Sequence, residues 1–451
     1  MKTAFETYFR SVKTKRIAVL GLGVSNRPLV KLLLEFGCSV VGCDKTPREK
    51  LDAEVLELEQ LGCQLRVGEN YLDGLEADLV FRTPGMHPGN PAITSLREAG
   101  AEITSEMEVF FEVCPCRILA VTGSDGKTTT TSLIASMLKA AGKTVWVGGN
   151  IGMPLLPRCR EILPEDIAVV ELSSFQLMDM RRSPAVAVVT NLAPNHLDVH
   201  TDMAEYVQAK TNIFRFQQPE DVLILNADNA ITDGFTGNGI TRKFSRKGVT
   251  NGVWESGGMI YRGETPVLAT GDILIPGDHN IENYMAAILA VDGLVPDEVI
   301  RQVAKTFGGV EHRIELVRVR NDIRYYNDSI ASSPSRTIAG LRSFPEKVIL
   351  IAGGYDKKVP YDVLGPEICT HVKKLFLNGD TAGMIRAAVE ACPETQPEIT
   401  ECSDFAAAVR AAAAAAEPGD VVLMSPASPA FDQFKNFMVR GDYFKKIIME
   451  L

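Results

Sequence analysis

An apolar run, a glycine-rich loop and a helical run follow one another in ILAVTGSDGKTTTTSLIASMLKAAG, residues 118–142. The apolar run is short and rich in branched side chains, which is typical of a buried strand. The run after the loop ends at Gly142, and glycine commonly follows the last turn of a helix. The segment therefore predicts a strand, a loop and a helix in direct succession.

The loop between this strand and helix has the composition of a phosphate-binding loop. Backbone N–H groups at the start of such a helix point at phosphate oxygens. Lys127 can reach the outer phosphates of a nucleotide, and the hydroxyl of Thr128 or Thr129 can bind Mg²⁺. The loop is shorter than the common G-x-x-x-x-G-K-[ST] pattern, so a glycine-rich turn with a surface lysine is the alternative. The predicted nucleotide-binding residues are Gly123, Ser124, Asp125, Gly126, Lys127, Thr128 and Thr129.

Similar apolar runs recur along the whole chain and alternate with helical stretches such as residues 405–419. Continuous apolar strands of this kind are buried on both faces of a sheet. Alternation of strands and helices indicates α/β domains with mostly parallel sheets. The predicted strands lie in residues 17–23, 118–124, 144–149, 167–174, 185–191, 221–228, 347–354, 374–380 and 421–428.

The length and two changes of pattern predict three domains. The chain has 451 residues, and domains contain roughly 150 residues each as a prior. One boundary is expected near residue 105, and another near residue 310, after a helical stretch at 280–307. Beyond it, residues 313–328 are typical of a hairpin that turns at Asn321-Asp322. The predicted domains are residues 1–105, 106–310 and 311–451.

The composition excludes several classes of protein. A formal charge of −10 and a pI near 5.3 argue against a general nucleic-acid binder, which needs a basic surface. The nine cysteines are scattered, which fits a reducing cytoplasm better than a disulfide-built secreted fold. The N-terminus lacks the apolar run of a signal peptide, and no run approaches the ~20 residues that span a bilayer. We therefore expect a cytoplasmic protein with no nucleic-acid or membrane partner.

A second glycine-rich turn, GLGVSN, occupies residues 21–26 and follows a predicted strand. Asp44 lies 21 residues beyond Gly23, at the spacing of a ribose-binding acid in a dinucleotide fold. Asn26 stands where the third glycine of that fingerprint belongs. The pattern therefore predicts a Rossmann-like unit that holds a nucleotide diphosphate and performs no redox chemistry.

Acidic and imidazole side chains follow two of the central strands. Glu171 closes the strand IAVVE, His196 lies just past the next strand, and Lys210 follows in EYVQAK. The carboxyl ends of parallel strands face the usual ligand crevice, and oxygen ligands with one imidazole suit Mg²⁺ beside a nucleotide. The alternatives are a solvated acid and a structural histidine, and from EYVQAK alone a solvated lysine is the simpler interpretation.

The last third of the chain carries further candidate residues in loops and at strand ends. Arg313 and Asp328 could contact the nucleotide from a second domain of the chain. Lys357 could bind a carboxylate. Ordinary turns and solvated charges are the alternatives for these positions.

A series of motifs in a fixed order resembles the Mur ligases, the ATP-dependent amino-acid ligases that build the peptidoglycan stem peptide. The similarity covers nearly the whole chain. The motifs ELSSFQL and DQFKNF resemble the members that add D-glutamate to UDP-N-acetylmuramoyl-L-alanine. The motifs are TGSDGKTTT (122–130), GGNIG (148–152), ELSSFQL (171–177), NHLD (195–198), GDHNIEN (277–283), HRIE (312–315), NDS (327–329) and SPASPAFDQFKNFMVRG (425–441).

This resemblance implies a role for each domain and for single residues. It implies Rossmann-like first and third domains, a central ATPase domain, ATP and Mg²⁺ as two ions, a carbamate on Lys210, and a monomer. The implied catalytic residues are Lys127, His196 and Lys210, and the implied metal ligands are Thr128, Glu171, His196 and Lys210. Beyond the loop, ATP is contacted by Asn283, Arg313 and Asp328. The implied substrate contacts are Val24, Ser25, Asp44 and Gly85 for the UDP moiety, Asn150 near the substrate, and Lys357 and Phe437 for D-glutamate.

Two other functions remain as alternatives on the residues alone. An NAD-dependent dehydrogenase would use the turn at residues 21–26, but it needs an intact fingerprint and has no need of the loop at residues 122–130. A nucleotide-binding switch would use that loop without a third domain that binds an acceptor.

Overall fold

The computed structural model of the chain describes residues 3–194 and 200–451. These residues form three sheets. One compact unit comprises the chain up to Thr270 together with Glu282–Val303 and contains the first two sheets. A second unit comprises Gly271–Ile281 and Ala304–Leu451 and contains the third sheet. The α/β fold with mostly parallel sheets is confirmed, whereas the exact domain boundaries stay a prediction.

The first sheet is entirely parallel and has the strand order β3-β2-β1-β4-β5. Its central strand β1 is buried along its whole length, as the continuous apolar run predicts. The strands are β1 (Ile17–Leu20), β2 (Val40–Asp44), β3 (Gln64–Val67), β4 (Leu79–Arg82) and β5 (Glu102–Thr104). The helices are α1 (Ala4–Ser11), α2 (Asn26–Glu35), α3 (Ala53–Gln60), α4 (Pro91–Glu98) and α5 (Glu106–Val113).

The second sheet has nine strands in the order β14-β13-β12-β11-β10-β9-β6-β8-β7. It is parallel from β12 to β7, and β12, β13 and β14 pair antiparallel. The strands are β6 (Arg117–Thr122), β7 (Val145–Gly149), β8 (Ile167–Glu171), β9 (Val186–Val189), β10 (Val222–Asn226), β11 (Ile240–Ser245), β12 (Val253–Ser256), β13 (Met259–Arg262) and β14 (Thr265–Ala269). The helices are α6 (Lys127–Ala140), α7 (Ser174–Leu177), α8 (Met203–Arg215), α9 (Ala230–Asp233), α10 (Asp278–Ala290) and α11 (Asp297–Thr306).

The third sheet has the order β15-β16-β20-β17-β18-β19, and only its edge pair β15 and β16 is antiparallel. That pair is the predicted hairpin, and its turn residues Asn321 and Asp322 have φ of 51° and 62°, as a type I′ turn requires. The strands are β15 (Glu315–Arg320), β16 (Ile323–Asn327), β17 (Val348–Ala352), β18 (Val372–Leu377), β19 (Glu398–Glu401) and β20 (Val421–Met424). The helices are α12 (Pro334–Leu341), α13 (Leu364–His371), α14 (Ala382–Glu390), α15 (Phe405–Ala414) and α16 (Phe437–Glu450).

The first two sheets share one hydrophobic core. A single buried cluster includes Ile17 and Leu79 from the first sheet and Ala120 and Val170 from the second. Burial of apolar surface between the layers joins them into one compact unit. Among the described residues, no helix combines the length and the apolar character that crossing a bilayer requires.

A buried acid at the start of α5 makes stability depend on pH. Glu106 is 5% exposed, and its Oε1 accepts the N–H of Leu156 at 3.1 Å. Burial raises the pKa of Glu106 to about 7, which the Leu156 hydrogen bond only partly opposes. Because the folded state binds this proton more tightly than the unfolded state, the group stabilises the fold at low pH, and this stabilisation is lost as the pH rises through about 7.

We expect Glu106→Gln to unfold at a higher temperature than the wild type at pH 8, because the amide is neutral and keeps an oxygen for the Leu156 N–H. The gain is at most about 3 kcal/mol and should vanish towards pH 4. Calorimetry across this pH range measures it. Glu112→Gln, on the same helix with a side chain 41% exposed, is the control. Identical unfolding temperatures of Glu106→Gln and the wild type at pH 8 would contradict the expectation.

Candidate active site

The loop between β6 and α6 requires glycine at two positions. Gly123 has φ of 151° and Gly126 has φ of 77°, in the region that side chains disfavour. A Cβ at Gly123 would lie 1.9 Å from Oγ1 of Thr190, and one at Gly126 would lie 2.3 Å from Oδ1 of Asn283. The two glycines therefore let the loop backbone lie directly against the next strand end and against α10.

Side chains that follow β9 hold the loop in place. The N–H of Asp125 donates to Oδ1 of Asn191 at 3.0 Å, and Oγ1 of Thr190 donates to the Asp125 carbonyl at 2.6 Å. Ser124 Oγ donates to the carbonyl of Ala193 at 2.9 Å. Sequence reasoning missed Thr190 and Asn191 as contributors to the site. Their position at the end of a predicted strand beside the loop strand was the signal that could have found them.

Lys127 is the first residue of α6, where the positive end of the helix dipole lies. Its Nζ donates to the carbonyls of Gly123 at 3.0 Å and Ser124 at 2.8 Å. The ammonium group is thus folded over the loop. Thr128 and Thr129 follow in the first turn and are partly exposed. The loop, the helix start and the lysine are arranged as a phosphate-binding loop requires, and the binding of phosphate by these residues stays a prediction.

Glu171 ends β8 and is 1% exposed. Its Oε1 accepts the side-chain N–H of Asn150 at 2.7 Å. Its Oε2 is buried and has no hydrogen-bond partner among the residues that the structure describes. A buried carboxylate oxygen without a donor is costly unless a cation or water meets it. This oxygen fits a hard cation such as Mg²⁺.

Lys210 on α8 is buried, at 2% exposure, so the interpretation as a solvated surface lysine is wrong. Its Nζ lies 3.2 Å from Oγ1 of Thr122 and 4.9 Å from the ring centroid of Tyr206. Burial, followed by the charge of Lys127, holds the pKa of Lys210 well below its ordinary value. The predicted metal ligand His196 lies outside the described residues.

The first sheet presents its predicted substrate residues at the carboxyl ends of β1, β2 and β4. Asp44 accepts the N–H groups of Leu22 at 2.8 Å and Thr46 at 2.9 Å. Burial acts to raise the pKa of Asp44, but these N–H donors outweigh it and hold the pKa below its usual range. The carboxylate thereby shapes the loop after β1. Three of the predicted contacts border these strand ends and are exposed or partly exposed: Val24, Ser25 and Gly85.

Asn26 explains why this loop lacks the third glycine of a dinucleotide fingerprint. The side chain is 4% exposed, and its Nδ2 donates to the carbonyls of Gly21 at 2.7 Å and Leu20 at 3.2 Å. The side-chain amide thus holds the turn together through hydrogen bonds to its backbone. The Rossmann-like geometry is therefore retained by a different local interaction.

The third sheet carries the remaining predicted residues. Asp328 is 4% exposed, and its two oxygens accept Oγ of Ser425 at 2.7 Å and the N–H of Ile314 at 3.3 Å. Burial raises the pKa of Asp328 to about 7. Lys357 is exposed. Phe437 begins α16, and its ring lies edge-on to that of His312, with centroids 6.0 Å apart. Arg313 follows His312 in the loop before β15.

A polar cavity of about 400 Å³ lies at the carboxyl ends of β10 and β11. Asn191, which holds the phosphate-type loop, is part of its wall. Another residue of the wall, Glu282 of α10, accepts the side-chain N–H of Asn226 at 3.1 Å. The cavity therefore adjoins the loop and has polar walls of both charges. Its lining residues are Asn191, Asn226, Asp228, Asn229, Arg246, Lys247 and Glu282.

A mostly parallel sheet with a glycine-rich loop, a lysine at the helix start and a buried acid on the neighbouring strand is typical of enzymes that transfer a phosphoryl group from a nucleotide. Residues 121–291 match the family model described as the Mur ligase middle domain, and residues 312–428 match the Mur ligase glutamate ligase domain. The chain belongs to the Mur ligase family.

Curated relatives match the chain from end to end. A protein named UDP-N-acetylmuramoylalanine–D-glutamate ligase from Acetivibrio thermocellus is 51% identical, over 99% of both chains. Proteins of the same name from Clostridium botulinum (strain Loch Maree) and Ruminiclostridium cellulolyticum are 46% and 47% identical, over 100% of both chains.

Solved structures share the fold at low sequence identity. A UDP-N-acetylmuramate-alanine ligase from Thermotoga maritima has a TM-score of 0.57 and 18% identity, over 97% of this chain and 99% of that one. A UDP-N-acetylmuramoyl-L-alanyl-D-glutamate–2,6-diaminopimelate ligase has a TM-score of 0.57 and 16% identity, over 92% and 93%. These likenesses support the three-domain α/β architecture.

Proposed function

We propose that this chain joins D-glutamate to the L-alanine carboxyl group of UDP-N-acetylmuramoyl-L-alanine, with hydrolysis of ATP to ADP and phosphate. The chain is a ligase of peptidoglycan precursor synthesis. The observation that carries the proposal is the 51% identity over 99% of the chain with a relative of that name. Membership in a ligase family contradicts both the dehydrogenase and the nucleotide switch.

The reaction needs activation because a carboxylate is a poor acylating agent. The carboxylate of L-alanine attacks the γ-phosphorus of ATP, which yields an acyl phosphate and ADP. The amine of D-glutamate then attacks the acyl carbon, a tetrahedral intermediate forms, and phosphate leaves as the amide bond is made. Negative charge gathers at the phosphoryl group in the first step, where Lys127 and the N–H groups of α6 stabilise it.

The metal side of the site is the second part of the proposal. Thr128 and Glu171, with His196, would hold Mg²⁺, and the buried Oε2 of Glu171 supports this assignment. When bound, as two ions, Mg²⁺ neutralises the phosphates so that two anions can meet. A carbamate on Lys210 would add two further oxygens on this side. Asn150, through its hydrogen bond to Glu171, would stand between the metal side and the substrate.

The remaining residues are assigned to ligands by the proposed function. Residues 1–105 would bind the UDP moiety through Val24, Ser25, Asp44 and Gly85. Residues 106–310 would bind ATP through the loop at 123–129 and Asn283. Residues 311–451 would add Arg313 and Asp328 to the ATP site, and Lys357 and Phe437 to the D-glutamate site. We propose a cytoplasmic monomer: the nine scattered cysteines are free, which suits a reducing compartment, and the resemblance to the family implies a single chain.

One assay tests the reaction. Phosphate release from ATP is measured with UDP-N-acetylmuramoyl-L-alanine, with and without D-glutamate. We expect release that requires both substrates, and no release when L-glutamate or meso-diaminopimelate replaces D-glutamate. Release that does not depend on D-glutamate, or that prefers another amino acid, would contradict the assignment of the acceptor.

A further inference from the structure

Glu205 lies in the first turn of α8 and contacts segments from two different sheets. Its Oε1 lies 3.2 Å from Nε2 of His87, in the loop between β4 and α4 of the first sheet. Its Oε2 accepts the N–H of Thr201 at 2.8 Å and lies 3.5 Å from Nδ1 of His200. One carboxylate therefore joins the loop that carries Gly85 to the residues that precede α8.

The contact between Glu205 and His87 has a defined donor. Nδ1 of His87 accepts the N–H of Gly89 at 3.0 Å, so in the neutral ring the proton sits on Nε2. This Nε2–H donates to Oε1 of Glu205. The N–H of Thr201 holds the pKa of Glu205 below its usual value, against the opposing effect of burial. The contact is thus a charge-assisted hydrogen bond between the two sheets.

The same loop is held at its other end by Arg82, which is 1% exposed. The guanidinium donates to the carbonyl of Met86 at 2.5 Å and to Oδ1 of Asp179, past α7, at 2.5 Å. Residues 83–87 therefore lie between two polar attachments to the second-sheet layer, at Arg82 and at His87. A ligand that binds at Gly85 would therefore contact a segment that both of these interactions hold in place.

Glu205 is also connected, through His200, to the segment that follows Glu171. His200, which Oε2 of Glu205 faces, has its Nε2 2.9 Å from Oγ of Ser174, and its ring stacks on Phe175 with centroids 5.5 Å apart. These residues begin α7, directly after the strand that ends at Glu171. Lys210 lies on α8, about 1.4 turns beyond Glu205. Glu205 thus links the Gly85 loop to α7, which follows the strand that ends at Glu171, and to α8, which carries Lys210.

We propose that Glu205 is a positioning residue that couples binding of the UDP substrate at residues 83–87 to binding of the nucleotide at the second sheet. The inference rests on the proposed function, which assigns the Gly85 loop to the UDP substrate. With the His87–Glu205 hydrogen bond intact, each ligand binds more tightly when the other is present. Such coupling is reciprocal by thermodynamic necessity.

Calorimetric titration of UDP-N-acetylmuramoyl-L-alanine, with and without saturating magnesium and a non-hydrolysable ATP analogue, measures the coupling. The wild type should bind the UDP substrate more tightly when the analogue is present. Glu205→Gln keeps an oxygen for the Thr201 N–H but turns its amide N–H groups towards the N–H of His87. We expect the ratio of the two affinities to fall about five- to tenfold. Affinity for each ligand alone should stay within about twofold, which a merely structural loss would not allow.

Variants at His87 provide an independent arm if Glu205→Gln fails to fold. His87→Ala should lose the coupling, whereas His87→Gln, which retains an N–H donor, should keep most of it. Glu35→Gln removes the negative charge from a different ion pair between the layers of the first two sheets, Glu35 Oε1 and Arg160 Nη1 at 2.8 Å, and should leave the coupling unchanged.

Three results would overturn the inference: wild-type coupling in both Glu205→Gln and His87→Ala, loss of coupling in Glu35→Gln to the same extent, or no coupling in a wild type that binds both ligands. A wild type that fails to bind the UDP substrate would instead contradict the proposed function. The two failures are therefore distinguishable in one set of titrations.

Discussion

Lys127→Ala should lower the rate of D-glutamate-dependent phosphate release by about 10²- to 10³-fold, which corresponds to about 3–4 kcal/mol of barrier. The ammonium group already lies over the loop, 2.8 Å from the carbonyl of Ser124 and 3.0 Å from that of Gly123. When a phosphate enters, its oxygens can replace these neutral acceptors. The positive charge of Lys127 then stabilises the negative charge that develops on the phosphoryl group in the transition state.

The loss should appear in turnover and not in folding. Lys127 is only partly buried, and the loop is held by Asn191 and Thr190 rather than by the lysine. The unfolding temperature of Lys127→Ala should therefore match that of the wild type. Lys139→Ala, an exposed lysine in the last turn of the same helix, should turn over normally. Normal turnover in Lys127→Ala would show that the loop does not bind the reacting phosphates.

Lys210→Ala should lose most of the activity, by about 10²-fold or more, because we propose that its amine carries a carbamate. The neutral amine adds CO₂ and releases a proton, which leaves an anion with two oxygens where an ordinary lysine carries a positive charge. A protonated amine has no lone pair to give, so the reaction needs a low pKa. Burial and the nearby charge of Lys127 lower the pKa of Lys210 well below its ordinary value, and burial also shields the product from water.

Two measurements test this carbamate. Acetate or formate added to Lys210→Ala should restore part of the activity, because either acid supplies carboxylate oxygens in the space that the side chain leaves. In ¹³C-bicarbonate buffer, the wild type should show a carbamate carbon resonance that Lys210→Ala lacks. Arg215→Ala, an exposed cation on the same helix, should be active and insensitive to acetate. A fully active Lys210→Ala, or a wild type without the resonance, would refute the modification.

Much of the fold follows from local sequence. The strands predicted at 118–124, 167–174 and 421–428 are present as β6, β8 and β20, because short runs of branched apolar residues suit a position buried on both faces. The antiparallel strands β12 to β14 were not predicted. Their sequences are partly exposed and mixed in polarity, so only pairing with the edge of the existing sheet makes them strands.

The candidate site divides in the same way. The phosphate-type loop is encoded in consecutive residues, from Gly123 to Lys127, because the backbone conformation that points N–H groups at an anion needs glycine at set places. The sequence alone thus determined the nucleotide loop, the α/β class and, through its motifs, the ligase family.

Only the tertiary structure decided how distant residues meet. Glu171 accepts a hydrogen bond from Asn150, 21 residues away, and Glu205 accepts one from His87, 118 residues away. The segment around Lys210 is typical of an exposed helix, yet α8 buries that residue behind the loop strand, 3.2 Å from Thr122. The physical reason is that burial depends on which elements pack together. Burial in turn sets the pKa of an amine and decides whether a carboxylate oxygen finds a hydrogen-bond donor, and no local run of residues contains that information.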